Sequence, residues 1–129
     1  MTVPVVRARE AEAKRIDEDW GSLTWVAGKK LGNAERLTLG RVVIRKGAQN
    51  PRHCHPNCAE VLYLLGGKLR HTVGDEAVIL EPGDALAIPA GVFHHAASIG
   101  EEDAEMIVAY DSGERQFVLE RDEQGVRRT

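Results

Sequence analysis

No stretch of the sequence approaches the roughly 18 consecutive apolar residues that a bilayer-spanning helix needs. The first residues, MTVPVVRAREAEAKR, also lack the apolar core of a secretory signal. Both absences predict a protein of the cytoplasm that neither crosses nor engages a membrane. Cysteine is scarce: Cys54 and Cys58 are the only two. In a cytosolic chain such a pair is expected to stay reduced rather than form a structural bridge. Excess positive charge is missing as well, the formal net charge being −3. The chain therefore has no general attraction to nucleic acid or to anionic lipid, and neither is expected as a partner. There is no internal repeat, no low-complexity segment and little helical periodicity. Ala8–Asp19, rich in charge and alanine and free of Gly and Pro, is the one candidate for a short helix.

What remains reads almost entirely as β-structure. The 129 residues, 43% hydrophobic and 29% charged, suffice for one domain with its own core. Val3–Val6 reads as a short edge strand and Ser22–Ala27 as a strand, followed by a turn at Gly28–Asn33. From there short apolar runs alternate with turns. The strands are Arg36–Arg45, Ala59–Leu65, Lys68–Val73, Ala77–Leu80, Ala85–Ile88, Val92–Ser98, Ala104–Tyr110 and Arg115–Glu120. Gly66-Gly67 reads as the tight turn of a hairpin between the second and third of these. Glu81-Pro82-Gly83-Asp84 is a strong turn, since Pro and Gly each suit a position other residues do not. About nine or ten short strands with a turn every few residues predict an antiparallel sandwich or barrel. In Ala59–Leu65 both faces are apolar, Leu62 and Leu64 on one and Val61, Tyr63 and Leu65 on the other. Both are expected to be covered, one by the opposite sheet and one by a partner subunit in a homodimer.

The stretch Gly47–Gly67, GAQNPRHCHPNCAEVLYLLGG, carries the chemistry. In an extended segment alternate side chains share a face, so His53 and His55 point the same way and Cys54 points away. Pro56-Asn57 offers a turn that brings Glu60 back beside them. Two imidazoles and a carboxylate aimed at one point begin a divalent metal site. A second stretch, Gly83–Ser98 (GDALAIPAGVFHHAAS), places His94 after a Pro-x-Gly turn at the start of a strand. His95, next in sequence, is expected to face the other way.

These two stretches resemble the paired motifs of the cupins. The first cupin motif, G-x5-H-x-H-x4-E-x6-G, is met by Gly47, His53, His55, Glu60 and Gly67. The second, G-x5-P-x-G-x2-H-x3-N, is met by Gly83, Pro89, Gly91 and His94, with Ser98 where the family usually has Asn. The resemblance implies a small single-domain cupin. Its fold is the all-β double-stranded β-helix, or jelly-roll barrel, over about residues 36–120. Residues 1–35 supply N-terminal strands and one short helix, and 121–129 form a polar tail. The resemblance also implies that His53, His55, Glu60 and His94 hold one divalent ion, Fe, Mn, Ni or Zn, inside the barrel. Such a ligand set leaves two adjacent octahedral positions for water or substrate.

Around that centre Gln49 and Met106 are candidates for the substrate pocket, and His71 and Tyr110 for acid–base groups. Met106, Val108 and Tyr110 share one face of their strand. Three functions stay open: a metal-dependent enzyme of dioxygenase type acting on a small organic substrate, a redox-neutral isomerase, lyase or cyclase, and a binding protein for a small sugar or acid.

Overall fold

The computed structural model describes residues 3–120; the expected polar tail, 121–129, lies outside them. Among these residues there are one helix and eleven short strands. The helix α1 spans Ala8–Ala13, and its entry is fixed by the Glu10 carboxylate accepting from the Arg7 amide. It is shorter than Ala8–Asp19, because only Ala11 is buried beneath it. The rest of that stretch pairs instead as β1 (Ile16–Glu18) with β2 (Gly21–Ala27). Val3–Val6 is not a strand; these residues are exposed or only half-buried and make no ladder.

The remaining strands are β3 (Thr38–Ile44), β4 (His53–Cys54), β5 (Glu60–Gly66), β6 (Leu69–Val73), β7 (Glu76–Leu80), β8 (Ala85–Ile88), β9 (His94–Ser98), β10 (Ala104–Tyr110) and β11 (Val118–Leu119). They form two antiparallel sheets, β1-β2-β3-β10-β5-β8 and β11-β4-β9-β6-β7. The inward side chains of both interdigitate, as two packed faces must. Strict alternation drives this: β3, β5 and β10 bury every second residue, giving the buried ladder Val42–Met106–Leu64 across three strands.

The expected hairpin across Gly66-Gly67 does not form. β5 pairs with β10 and β8, whereas β6 pairs with β7 and β9, so the chain crosses from one sheet to the other at that point. Gly67 makes the crossing feasible. Its φ is +83°, and a Cβ there would lie 2.7 Å from the Ala104 Cα, so neither the angle nor the space admits a side chain. The last expected strand, Arg115–Glu120, shrinks to β11, which pairs only with β4.

The outer face of β5 is open. Val61, Tyr63 and Leu65 are each nearly half exposed, while Glu60, Leu62 and Leu64 are buried. No helix among the described residues is long and apolar enough to cross a membrane.

Candidate metal centre

Four of the expected side chains meet at one end of the barrel. His53 on β4 lies opposite His94 on β9 in the ladder, and His55 follows just beyond β4. Their ring centres stand 4.4 Å (His53–His94), 5.0 Å (His53–His55) and 5.2 Å (His55–His94) apart. One nitrogen from each lies within 4.8 Å of the others, so the three can hold a metal ion. Glu60, opening β5, brings its Oε1 to 3.3 Å from Nε2 of both His55 and His94. All four residues are at least 94% buried.

The turn of the second motif is tied to the first. Gly91, at φ +78°, donates its amide to the His55 carbonyl at 3.0 Å. The preceding loop is tied to β9 in the same way: Asn50 Oδ1 accepts from the Ala96 amide at 2.8 Å, and Gly47 N–H donates to the Ser98 carbonyl at 3.0 Å. These bonds bring together residues some forty positions apart in sequence.

Hydrogen bonds set the tautomers of all three rings. Nδ1 of His53 donates to the Pro51 carbonyl at 2.6 Å, that of His55 to Gln116 at 2.8 Å, and that of His94 to Val92 at 2.9 Å. A carbonyl oxygen only accepts, so each Nδ1 carries a proton, and Nε2 is the nitrogen left to offer a lone pair to a metal. Burial, then the neighbouring His94 and His55, pushes the His53 pKa well below its usual value, so that ring is neutral. Burial opposes the charge on Glu60, but wherever His55 or His94 carries a proton on Nε2 its contact with Oε1 holds the Glu60 carboxyl well below its usual range.

The result is a cluster of lone pairs facing a carboxylate, all sheltered from water. Nε2 of His55 and His94 and Oε1 of Glu60 are buried without a hydrogen bond. Such an arrangement is costly on its own and is relieved by a cation at its centre. Three imidazoles and a carboxylate suit a divalent first-row ion, and the carbonyl-held Nδ1 protons are the outer support that ligating histidines ordinarily have. The donor set fits a metal.

Other candidates fall around this cluster at different depths. His71 on β6 does point inward, 2% exposed. It sits one rung below His94, stacked on it at 5.9 Å with an interplanar angle of 21°. Burial and the neighbouring His94 lower its pKa to about 4, and its Nδ1 has no partner. Tyr110, at the end of β10, meets the His55 ring edge-on at 4.9 Å. Burial and the Glu60 charge raise its pKa well above the usual phenol, so it stays a donor.

Gln49 lines a cavity of about 440 Å³ that opens onto His53 and Tyr110. Met106 shares the face of Tyr110, but it is 1% exposed in the apolar core, two rungs from the centre, and does not line that cavity. Cys54 and Cys58 are both free and buried. Burial raises the Cys58 thiol to about 11, and neither cysteine joins the imidazole cluster. His95 is half-buried, and burial, then Arg52 and Arg70, lowers its pKa.

Two residues of the cavity wall carry no motif and escape sequence reasoning. Phe117 stacks on His53 at 4.6 Å and 21°. The Arg115 guanidinium lies over Trp25 at 4.5 Å and Tyr110 at 5.1 Å, with Nη1 3.3 Å from Nδ1 of His55. The only signal for either is their alternation with Gln116 after the last turn. Trp20 also lines the cavity, beside Leu23.

The chain is similar to known proteins in family and fold. The model of the family described as "Cupin domain" matches residues 40–110. The chain is 32% identical over 85 residues to germin-like protein subfamily 2 member 1 of Arabidopsis thaliana, covering 62% of this chain and 39% of that protein. It is 26% identical over 96 residues to oxalate oxidase GF-2.8 of Triticum aestivum, covering 68% and 41% respectively. The chain thus spans about two-fifths of the length of these curated relatives. Among solved structures, oxalate decarboxylase from Bacillus subtilis superposes with a TM-score of 0.79 at 20% identity, over 86% of this chain and 31% of that one. An oxalate oxidase superposes with a TM-score of 0.73 at 20% identity, over 81% and 57%. At these identities the solved structures show a shared fold.

Proposed function

Because the chain belongs to the Cupin domain family, we propose that it is a metal-dependent enzyme acting on a small organic acid, with one divalent ion held by His53, His55, His94 and Glu60. The carrying observation is the set of three Nε2 lone pairs and one carboxylate, each ring locked by a backbone carbonyl. The named activities of the similar wheat and Bacillus proteins, oxidation and decarboxylation of oxalate, support a small carboxylate as the substrate class.

When bound, the ion supplies Lewis-acid or redox chemistry at its open positions. The chain's own residues do the rest. The cavity beside His53 admits a small molecule, Phe117, Trp20 and Leu23 wall it with apolar surface, and the Gln49 amide orients a polar ligand at its mouth. Tyr110 holds a proton on its hydroxyl against Glu60 and acts as donor. His71 stays neutral, with an unpartnered Nδ1, on the inner side of the centre.

Oxygen-dependent turnover of dioxygenase type is the first reading. A redox-neutral lyase or isomerase is the second, favoured by the presence of a donor, Tyr110, and a neutral imidazole, His71, on two sides of one centre. The proposed setting is the cytoplasm, where Cys54 and Cys58 remain thiols. The proposed assembly is a dimer that covers Val61, Tyr63 and Leu65.

Elemental analysis of protein purified without added metal is expected to find close to one equivalent of a first-row metal. Oxygen uptake is then followed with oxalate and other small acids, diketones, catechols and thiols. Uptake supports the oxygen-dependent reading, and turnover under nitrogen supports the redox-neutral one. Absence of metal uptake, or of any turnover by the loaded protein, overturns the enzyme reading.

A further inference from the structure

Arg115 has a cavity on either side of it. One is the metal-facing cavity just described. The other, of about 350 Å³, lies between β2, the loop after it, and the turn following β10, and shares only Arg115 with the first. Its volume falls in the ordinary range for small-molecule sites, and its walls are mostly apolar, as such sites are. Ile16, Trp25, Ala27 and Leu31 form the apolar surface.

The charges around the two cavities are opposite. The rim of the metal-facing cavity carries Glu18 and Asp19. Among the described residues, the second cavity is lined by Lys14, Lys30 and Arg115 and by one carboxylate, Glu114, which pairs with Lys29 at 3.0 Å. A local excess of cations in a chain of net charge −3 is a selective feature. Arg115 is 5% exposed, so its guanidinium acts at reduced dielectric, where attraction for an anion is strengthened.

The geometry points to this second cavity as a binding site for a small monocarboxylate with a hydrocarbon or aromatic body. The body rests on Ile16, Trp25 and Leu31, and the carboxylate turns towards Lys14, Lys30 and Arg115. A neutral apolar molecule gains the walls but not the cations, and a compact dianion such as oxalate gains the cations but not the walls. None of the four proposed ligands lines it, and Arg115 is the one residue it shares with the metal-facing cavity.

Isothermal titration with benzoate and hexanoate tests it, with benzamide and hexanamide as uncharged matches. Saturable binding of the acids, at least tenfold tighter than of the amides, is expected. It should persist after the metal is stripped with a chelator. The double substitution Lys14→Gln, Lys30→Gln should weaken the acids about fivefold or more and leave the amides unchanged. Ala27→Phe, which fills the cavity, should weaken acids and amides alike. Equal binding of acids and amides, loss of binding on metal removal, indifference to the lysine substitutions, or no saturable binding each overturns the inference. The chelator arm separates this outcome from failure of the metal reading, which would leave carboxylate binding here untouched.

Discussion

Along β10 the inward side chains run Ala104, Met106, Val108, Tyr110, and along the paired β5 they run Leu64, Leu62, Glu60. The same two strands thus begin in an apolar floor and end in a polar centre. The floor is as dry as a protein interior can be: Ile44, Leu64, Leu69 and Ala104 are 0% exposed. Each such leucine contributes about 1.5–3 kcal/mol by leaving water. The opposite end buries three imidazoles and a carboxylate, of which His55 Nε2, His94 Nε2 and Glu60 Oε1 have no hydrogen-bond partner. Stability is concentrated at one end so that a costly arrangement can persist at the other. The outer face of β5, with Val61 and Tyr63, belongs to neither.

Substitutions can test that division, and the largest effect is expected in the floor. Leu64→Ala should cost about 3 kcal/mol in denaturant unfolding, because the cavity it leaves is enclosed on all sides. Metal affinity of the folded fraction should stay within about twofold; a parallel fall would mean that the two ends are one unit. Next comes His94→Ala, which removes a proposed ligand. Titration is expected to show roughly a hundredfold or greater loss of metal affinity. Unfolding of the metal-free protein should move by less than about 1 kcal/mol, since a buried nitrogen without a partner goes with it. A loss comparable to Leu64→Ala would show that the centre supports the fold.

Gly91→Ala lies between. A Cβ there meets nothing within 4 Å, so its cost is that of φ +78° alone, about 1–2 kcal/mol. Because Gly91 N–H anchors the turn to His55, metal affinity should fall with stability here, unlike at Leu64. The smallest effect is expected at Tyr63→Ser, within about 0.5 kcal/mol for monomer unfolding. Sedimentation at increasing concentration reads its second consequence: if a partner covers this face, the substitution shifts the chain towards monomer.

The two ends also differ in how legible they were in the sequence. The convergence of His53, His55, Glu60 and His94 could be read from the spacing of the two motifs. The strands could be read because alternation of buried and exposed residues is a local property; Ala104–Tyr110 has the expected bounds. What failed was pairing. Gly66-Gly67 has the local appearance of a hairpin turn, yet Gly67 uses its positive φ to change sheets, and only the packing against Ala104 shows why. Ala8–Asp19 looked helical from propensity, but one buried alanine cannot hold three turns. Arg115 and Phe117 were invisible because an arginine over a tryptophan and a phenylalanine on an imidazole obey no fixed spacing. Met106 was placed on the correct face but assigned too near the centre, since a shared face says nothing about depth.

The compactness of the first motif has a consequence for the unfolded chain. His53, Cys54, His55, Cys58 and Glu60 fall within eight residues, so a disordered segment can wrap a soft metal with its thiols and imidazoles together. Folding dismantles that chelate. Cys54 and Cys58 are buried away from the cluster, and His94 arrives to complete a harder donor set of nitrogen and oxygen. A metal that binds both states stabilises the native one only by the difference. Zinc, which favours thiolate, should therefore raise the melting temperature less than its affinity for the folded protein implies. Manganese should show no such deficit, and Cys54→Ser should restore the missing shift for zinc.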